Sequence, residues 1–186
     1  MSPDPPDLRL LPLCVDLDGT LVEDDTLHFS ARALLRASPT AVAGMAAALL
    51  GGRAGVKDFI ASRFVPAPEA LRWRAEVVAF VRAQHAEGRE IILVTAAHRR
   101  IAEMVAAHLP VFARVLATEA GRNLKGEEKV RALRNAGVAD FDFITDSLAD
   151  LPALRVARRV WLVAPSAALE QAEGVRGRIA GVFCRA

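Results

Sequence analysis

Short apolar runs alternate along this chain with longer stretches of helical periodicity. The runs Leu10–Val15, Glu90–Thr95, Arg114–Thr118, Phe141–Thr145 and Val160–Val163 read as strands. Two of them, "EIILVT" and "FDFIT", are almost continuously apolar, the pattern of strands covered on both faces. Helix-like stretches lie between most of the runs. The alternation predicts an α/β fold, with a Rossmann-like parallel sheet and helices on both faces.

One interval breaks the rhythm. Residues 21–88 separate the first two strands, far more than a single crossover helix needs. Helical patterns cover Thr26–Ala37, Thr40–Leu50, Val56–Phe64 and Pro68–Ala86, punctuated by Ser38-Pro39, Gly51-Gly52 and Pro66. Only the last is required for the crossover. The others predict a small helical insert over residues 25–79, set into a core of residues 1–24 and 80–186. Within it, "TAVAGMAAALLGG" is too short and too rich in Gly and Ala to span a bilayer. It reads as a buried or interface helix, with a membrane-surface role as the alternative, and as part of the insert's core rather than a lipid pocket.

Composition narrows the class. Of 186 residues, 53% are hydrophobic and 25% charged, enough apolar material for a packed core. The net charge is +2, without a basic block or an aromatic-studded basic strip, so no nucleic-acid partner is expected. Two distant cysteines, Cys14 and Cys184, and a Pro- and Asp-rich start without a signal-peptide pattern predict reduced thiols in a cytoplasmic protein. Nearly every basic residue is Arg. Lys57, Lys125 and Lys129 are the only lysines, so their positions carry information.

In a parallel sheet, ligands bind beyond the carboxyl ends of the strands. Asp16, Asp18, Gly19 and Thr20 follow the first strand, and Thr95, Ala96, Ala97 and His98 follow the second, at the start of a helix. Asp146, Ser147 and Asp150 follow the fourth, and "NLKGEEK" supplies two lysines. Acidic groups of this kind can hold Mg²⁺, a hard cation that takes oxygen ligands. A hydroxyl, main-chain amides and a lysine can take up phosphoryl charge. An Asp nucleophile would split phosphate hydrolysis into two easier steps.

With "DLDGT", "VTAA", "NLKG" and "TDSLAD" in this order and sheet context, the chain resembles the haloacid dehalogenase (HAD) superfamily over essentially its whole length. "DLDGTLVEDDT" and "NLKGE" are most similar to its phosphoserine phosphatase-like branch, and the helical insert matches that superfamily's C1 cap. "RNLKG" with "DSLADLP" is also similar to a soluble HAD domain found beside UbiA-type prenyltransferases. The resemblance implies a magnesium-dependent phosphatase acting on a small phosphorylated metabolite. Its alternatives are a phosphotransferase, or a weakly active or non-catalytic partner of a membrane prenyltransferase. It also implies roles. Asp16 is the expected nucleophile and Asp18 the acid and base. Asp16, the Asp18 main-chain carbonyl and Asp146 are the expected magnesium ligands, with Asp150 supporting them. Thr95, Ala96 and Lys125 are the expected phosphoryl contacts.

Local readings compete with several of these roles. Thr95 can cap a helix, as can Asp146 ahead of Ser147. Asp25 reads as a substrate-binding acid or as an N-cap before Leu27. His98 reads as a substrate contact or a first-turn helix residue. Lys125, at the turn before Gly126, is preferred over Lys129, which reads as a solvated helix lysine beside Glu127 and Glu128. Two departures from the resembled branch stand out. Thr145 replaces the usual Gly before Asp146, which predicts a narrower loop, and Ala96-Ala97 replaces glycines, which predicts a tighter approach to substrate.

Overall fold

The computed structural model describes residues 11–119 and 122–184, so Leu10 and the residues before it lie outside the described part. Its strands are β1 (Leu13–Val15), β2 (Ile91–His98), β3 (Arg114–Thr118), β4 (Asp142–Thr145), β5 (Val160–Val163) and β6 (Ile179–Phe183). They form one parallel sheet in the order β3-β2-β1-β4-β5-β6. The strand order reverses at β1, whose neighbours are β2 and β4. This is the switch point where an open α/β sheet leaves a crevice at its carboxyl edge.

The helices are α1 (Thr26–Ala37), α2 (Ala41–Ala48), α3 (Gly52–Ala61), α4 (Ala75–Ala86), α5 (Arg99–His108), α6 (Glu127–Asn135), α7 (Leu151–Val156) and α8 (Ala167–Glu170). Period-two alternation sends successive strand residues to opposite faces. Leu13, Val15, Leu93 and Ile144 pack with Val77 and Val81 of α4 and with Ile101 and Val105 of α5. Cys14, Ile92, Val94 and Phe143 pack with Leu133 of α6 and Leu154 of α7. The near-continuous apolar runs of β2 and β4 serve both layers at once.

The sequence reading did not anticipate β6. It lies at the sheet edge with alternating half-buried and exposed residues. Its Gly181 lies so close to Trp161 that a Cβ there would stand 2.8 Å from the indole Cδ1.

Helices α1, α2 and α3 share a small apolar cluster of their own, built on Leu34, Ala41 and Ile60 with Met45, Phe59 and Phe64. Leu71, Trp73 and Val77 already belong to the main core, so the packing changes allegiance at Leu71. The insert joins the core through a two-stranded neck. Val22 and Trp73 form an antiparallel bridge, Glu23 N–H donates to Arg72 O at 2.8 Å, and Arg74 N–H donates to Leu21 O at 2.9 Å. Arg72 also grips Asp24 Oδ1 with Nε at 3.0 Å and Nη2 at 2.8 Å.

Of the readings of "TAVAGMAAALLGG", the buried one is corrected here. Only Ala41 of α2 is buried, while Val42, Leu49 and Leu50 are 59%, 63% and 94% exposed. Helices α1 and α3 cover one side of α2 alone. On that side Gly44 admits the Phe59 ring, which a Cβ would meet at 2.2 Å.

Cys14 is wholly buried, and burial pushes its thiol pKa far up, whereas Cys184 is exposed. Thiolate is the reactive form. One thiol per chain is therefore expected to react with an aromatic disulfide reagent in the native protein, and two after unfolding. Rapid reaction of both in the native state would contradict this packing.

Candidate active site

The sheet's switch point carries the chemistry. Asp16 follows β1 directly and Asp146 follows β4, so two adjacent parallel strands deliver carboxylates to one crevice. Asp16 N–H remains in the sheet, donating to Ile144 O at 3.1 Å. The chain then turns tightly. Gly19 has φ +73°, and a Cβ there would stand 2.0 Å from Asp146 Oδ2. A glycine is needed at this position for both conformation and space. Thr20 ties the two loops together: its hydroxyl accepts from Asp146 N–H at 3.1 Å and lies 3.3 Å from Asp146 Oδ1. Arg74, from the neck, donates to Gly19 O at 3.0 Å.

Asp16 Oδ1 accepts from Leu17 N–H at 2.8 Å, and Oδ2 pairs with Lys129 Nζ at 2.9 Å. The same ammonium pairs with Asp150 Oδ2 at 2.8 Å, and that oxygen also accepts from the Thr145 hydroxyl at 2.8 Å. Lys129 is only 1% exposed, so the solvated position expected for it is corrected. Helix α6 begins at Glu127, and Lys129 lies on its buried face with Val130 and Leu133. Lys125 lies before the helix and lines the cavity.

Asp18 has a different environment. Its Oδ1 accepts from Thr26 N–H, at the start of α1, at 2.9 Å. Burial pushes its carboxyl pKa to about 6, against the pull of the Thr26 hydrogen bonds. Burial also pushes Asp16 well above the usual carboxylate range, with Lys129 opposing and Asp150 adding to the rise. Asp146 is likewise raised by burial. Burial works against the charge of Lys129, yet Asp16 and Asp150 outweigh it and lift the lysine above its ordinary value.

Asp16, Asp18, Asp146, Asp150, Ala96, Lys125 and Lys129 all border one cavity of about 600 Å³. The insert supplies part of its wall, including Leu27, Arg53, Val56 and Lys57. All three lysines of the chain therefore face one space. Lys57 was not assigned to the site from the sequence, although the scarcity of lysine was the available signal. It reaches from α3 to donate to Ala96 O and, at 2.6 Å, to Asn123 Oδ1. Burial lowers its pKa, and Asp18 opposes that shift.

The second-strand loop differs from the expectation of a helix starting at Thr95. Strand β2 continues to His98, which pairs with Thr118 across a register irregularity, and α5 begins at Arg99. Thr95 is fully buried in the strand, where its hydroxyl accepts from Ala97 N–H at 2.9 Å, so it is not a helix cap. His98 caps α5 instead. Its Nδ1 accepts from Arg100 N–H at 3.2 Å, leaving Nε2 to bond Asp58 Oδ1 of α3 at 2.7 Å. Asp25 caps α1 by accepting from His28 N–H at 2.9 Å, and it also borders the cavity. Asp146 caps no helix. Ser147 does so for the turn Leu148–Asp150, accepting from Ala149 N–H at 3.2 Å. Thr145 is buried and takes no part in the cavity wall, so the narrowing expected of it is absent there.

Asp16 and Asp150 share one buried ammonium, and Asp146, held by Thr20, borders the same cavity at the end of the neighbouring strand. Carboxylate oxygens placed in this way can serve as ligands to a hard cation. Among the described residues, no three His, Cys, Asp or Glu side chains form a ligand cluster. The donor set instead suits Mg²⁺, which retains water and is commonly held by one or two carboxylates.

Residues 13–155 match the family of haloacid dehalogenase-like hydrolases. The chain belongs to this family. One relative of this HAD chain is Uncharacterized protein y4nM of Sinorhizobium fredii (strain NBRC 101917 / NGR234), 33% identical over 161 residues. That match covers 87% of the chain but only 30% of the relative, so the HAD chain spans less than a third of that protein. A Bordetella pertussis Tohama I protein with unknown function has a similar fold, at TM-score 0.69 and 20% identity over 92% of this chain and 96% of its own. A substrate-bound phosphoserine phosphatase complex gives TM-score 0.58 at 12% identity, covering 94% of this chain and 93% of its own. The fold of the HAD chain is therefore similar to that of a phosphoserine phosphatase.

The two lysines near α6 should separate cleanly. Lys129→Ala leaves Asp16 and Asp150 without their counter-charge and should cost about 3 kcal/mol at neutral pH. Lys125→Ala should cost no more than about 0.5 kcal/mol. Urea unfolding measures both, and equal losses would contradict the buried pairing. Asp18 gives a pH test in metal-free protein. Its native pKa of about 6 exceeds the unfolded value near 3.8. The native state binds the extra proton between these values, so Asp18's contribution to stability falls as pH rises through that window. Asp18→Asn should therefore gain on wild type from about pH 4 to about pH 7 in denaturation experiments, and parallel curves would refute the shift.

Proposed function

We propose that this chain is a magnesium-dependent phosphatase that hydrolyses a small phosphate monoester through an aspartyl-phosphate on Asp16. The observation that carries the proposal is the contrast between two aspartates of one turn. Asp16 pairs with Lys129 at 2.9 Å, which opposes the rise that burial gives its carboxyl, whereas Asp18 accepts from Thr26 N–H at 2.9 Å and burial pushes its carboxyl up to about 6. Nucleophile and general acid need opposite protonation states.

Asp16, Asp146 and the Asp18 main-chain carbonyl would hold the magnesium ion. When bound, it would offset repulsion between the Asp16 carboxylate and the phosphate dianion. A carboxylate oxygen of Asp16 attacks phosphorus, and the bond from phosphorus to the leaving oxygen breaks. Asp18 delivers its proton to that oxygen. A water molecule then attacks the phosphorus of the aspartyl-phosphate and gives its proton to Asp18, releasing inorganic phosphate and regenerating Asp16. Lys125 takes up charge on the phosphoryl oxygens, while Lys129 fixes the orientation of Asp16 through its second contact with Asp150. The helical insert acts as a C1 cap that limits substrate size and excludes bulk water during phosphoryl transfer.

The test uses an aryl phosphate with magnesium. Asp16→Asn should abolish both turnover and the acid-stable, base-labile phosphoenzyme. Asp18→Asn should still form the phosphoenzyme from this good leaving group, but break it down about 10²–10⁴-fold more slowly. A phosphoenzyme in Asp16→Asn, or no magnesium-dependent turnover in wild type, would reject the proposal.

A further inference from the structure

The sixteen residues 37–52 carry no charged side chain, yet they form surface. Packing against α1 and α3 uses Ala41, Gly44 and Met45 of α2. Val42 is exposed in the first turn of α2, and Leu49 and Leu50 are exposed in the 3₁₀ turn Leu49–Gly51 that follows its last turn, with Leu50 94% exposed. The fold of the insert does not require these large aliphatic side chains in water, and a contiguous exposed apolar surface marks an interaction site.

The surrounding charge identifies the partner. Residues 26–67 contain Arg32, Arg36, Arg53, Lys57 and Arg63 against a single acid, Asp58, although the whole chain has a net charge of only +2. All four arginines are exposed; Arg32 and Arg36 line a groove shared with Glu23, Asp24 and Asp25, which leaves Arg53 and Arg63 as the positive charges next to α2. Arg63 stacks on the Phe59 ring at 3.7 Å, and Phe59 packs directly beneath Gly44, so this positive charge borders α2. Arg53 follows Leu50 by three residues. Protruding aliphatic side chains rimmed by arginines match the two layers of an anionic lipid surface, acyl chains beneath negative headgroups. The excess positive charge disfavours a second copy of the same face. Among the described residues no helix is long and apolar enough to cross a membrane, so the contact would be peripheral.

We propose that the corner formed by α2 and the Leu49–Gly51 turn docks this protein on anionic lipid bilayers. Leu49 also borders the cavity that contains Asp16 and Asp18.

Co-sedimentation of the full chain with lipid vesicles tests this directly. Binding is expected to vesicles of phosphatidylcholine plus phosphatidylglycerol, and not to phosphatidylcholine alone, with loss at high salt. Val42→Ser with Leu50→Ser should reduce binding about tenfold or more, because both side chains are already solvent-exposed and their loss leaves the core intact. Arg53→Glu with Arg63→Glu should weaken it similarly. Unchanged melting temperature and unchanged hydrolysis of a soluble aryl phosphate in the Val42/Leu50 variant separate docking from folding and from catalysis. Equal vesicle binding by wild type and the double serine variant would overturn the proposal, as would no binding by wild type. Self-association without lipid that the double serine variant abolishes would assign the corner to a second copy and also overturn it.

Discussion

Two buried carboxylates sharing one buried ammonium are the constraint on which the functional edge of this molecule depends. Asp16 and Asp150 both pair with Lys129, and its loss would leave them facing each other without a counter-charge. Thr145 then fixes Asp150, and Thr20 fixes Asp146. The loops after β1 and β4 and the first turn of α6 are held in register by these contacts. Folding and ligand chemistry are thus coupled in the same few side chains.

The sheet was legible in the sequence where burial on both faces leaves an unbroken apolar run. The edge strand β6 was not, because Gly181 and alternating exposure erase that signal. The acidic positions were legible for a related reason: Asp16, Asp18 and Asp146 follow strand ends directly, and parallel pairing of β1 with β4 leaves little freedom in where they go. The lysines were harder. Lys125 and Lys129 lie four residues apart and both line the cavity, but the phase of α6 decides that Lys129 is buried against Asp16. That phase is set where the helix begins after Gly126, at φ +61°. Spacing alone does not reveal it. Thr95 was misplaced because a strand irregularity carries β2 to His98, beyond the point where the apolar run ends.

The insert shows the limit of periodicity from the other side. A helix apolar all round, such as α2, has no preferred face, so its sequence cannot say which side will be covered. Only the positions of α1 and α3 decide that. The same helices bring Lys57 and Asp58 against Ala96, Asn123 and His98, and so make the cavity a shared product of insert and core.

The two-stranded neck gives this arrangement a topological property. The chain leaves the core at Val22 and returns at Trp73, and these two residues are paired with each other. The intervening helices are therefore a side branch whose ends already meet. Loop closure across a paired base depends only weakly on the length enclosed. Helices can lengthen, shorten or be replaced in that branch while the backbone entering Asp16 and Asp18 keeps its path. The neck thus lets the insert vary without redirecting the backbone that leads into Asp16 and Asp18.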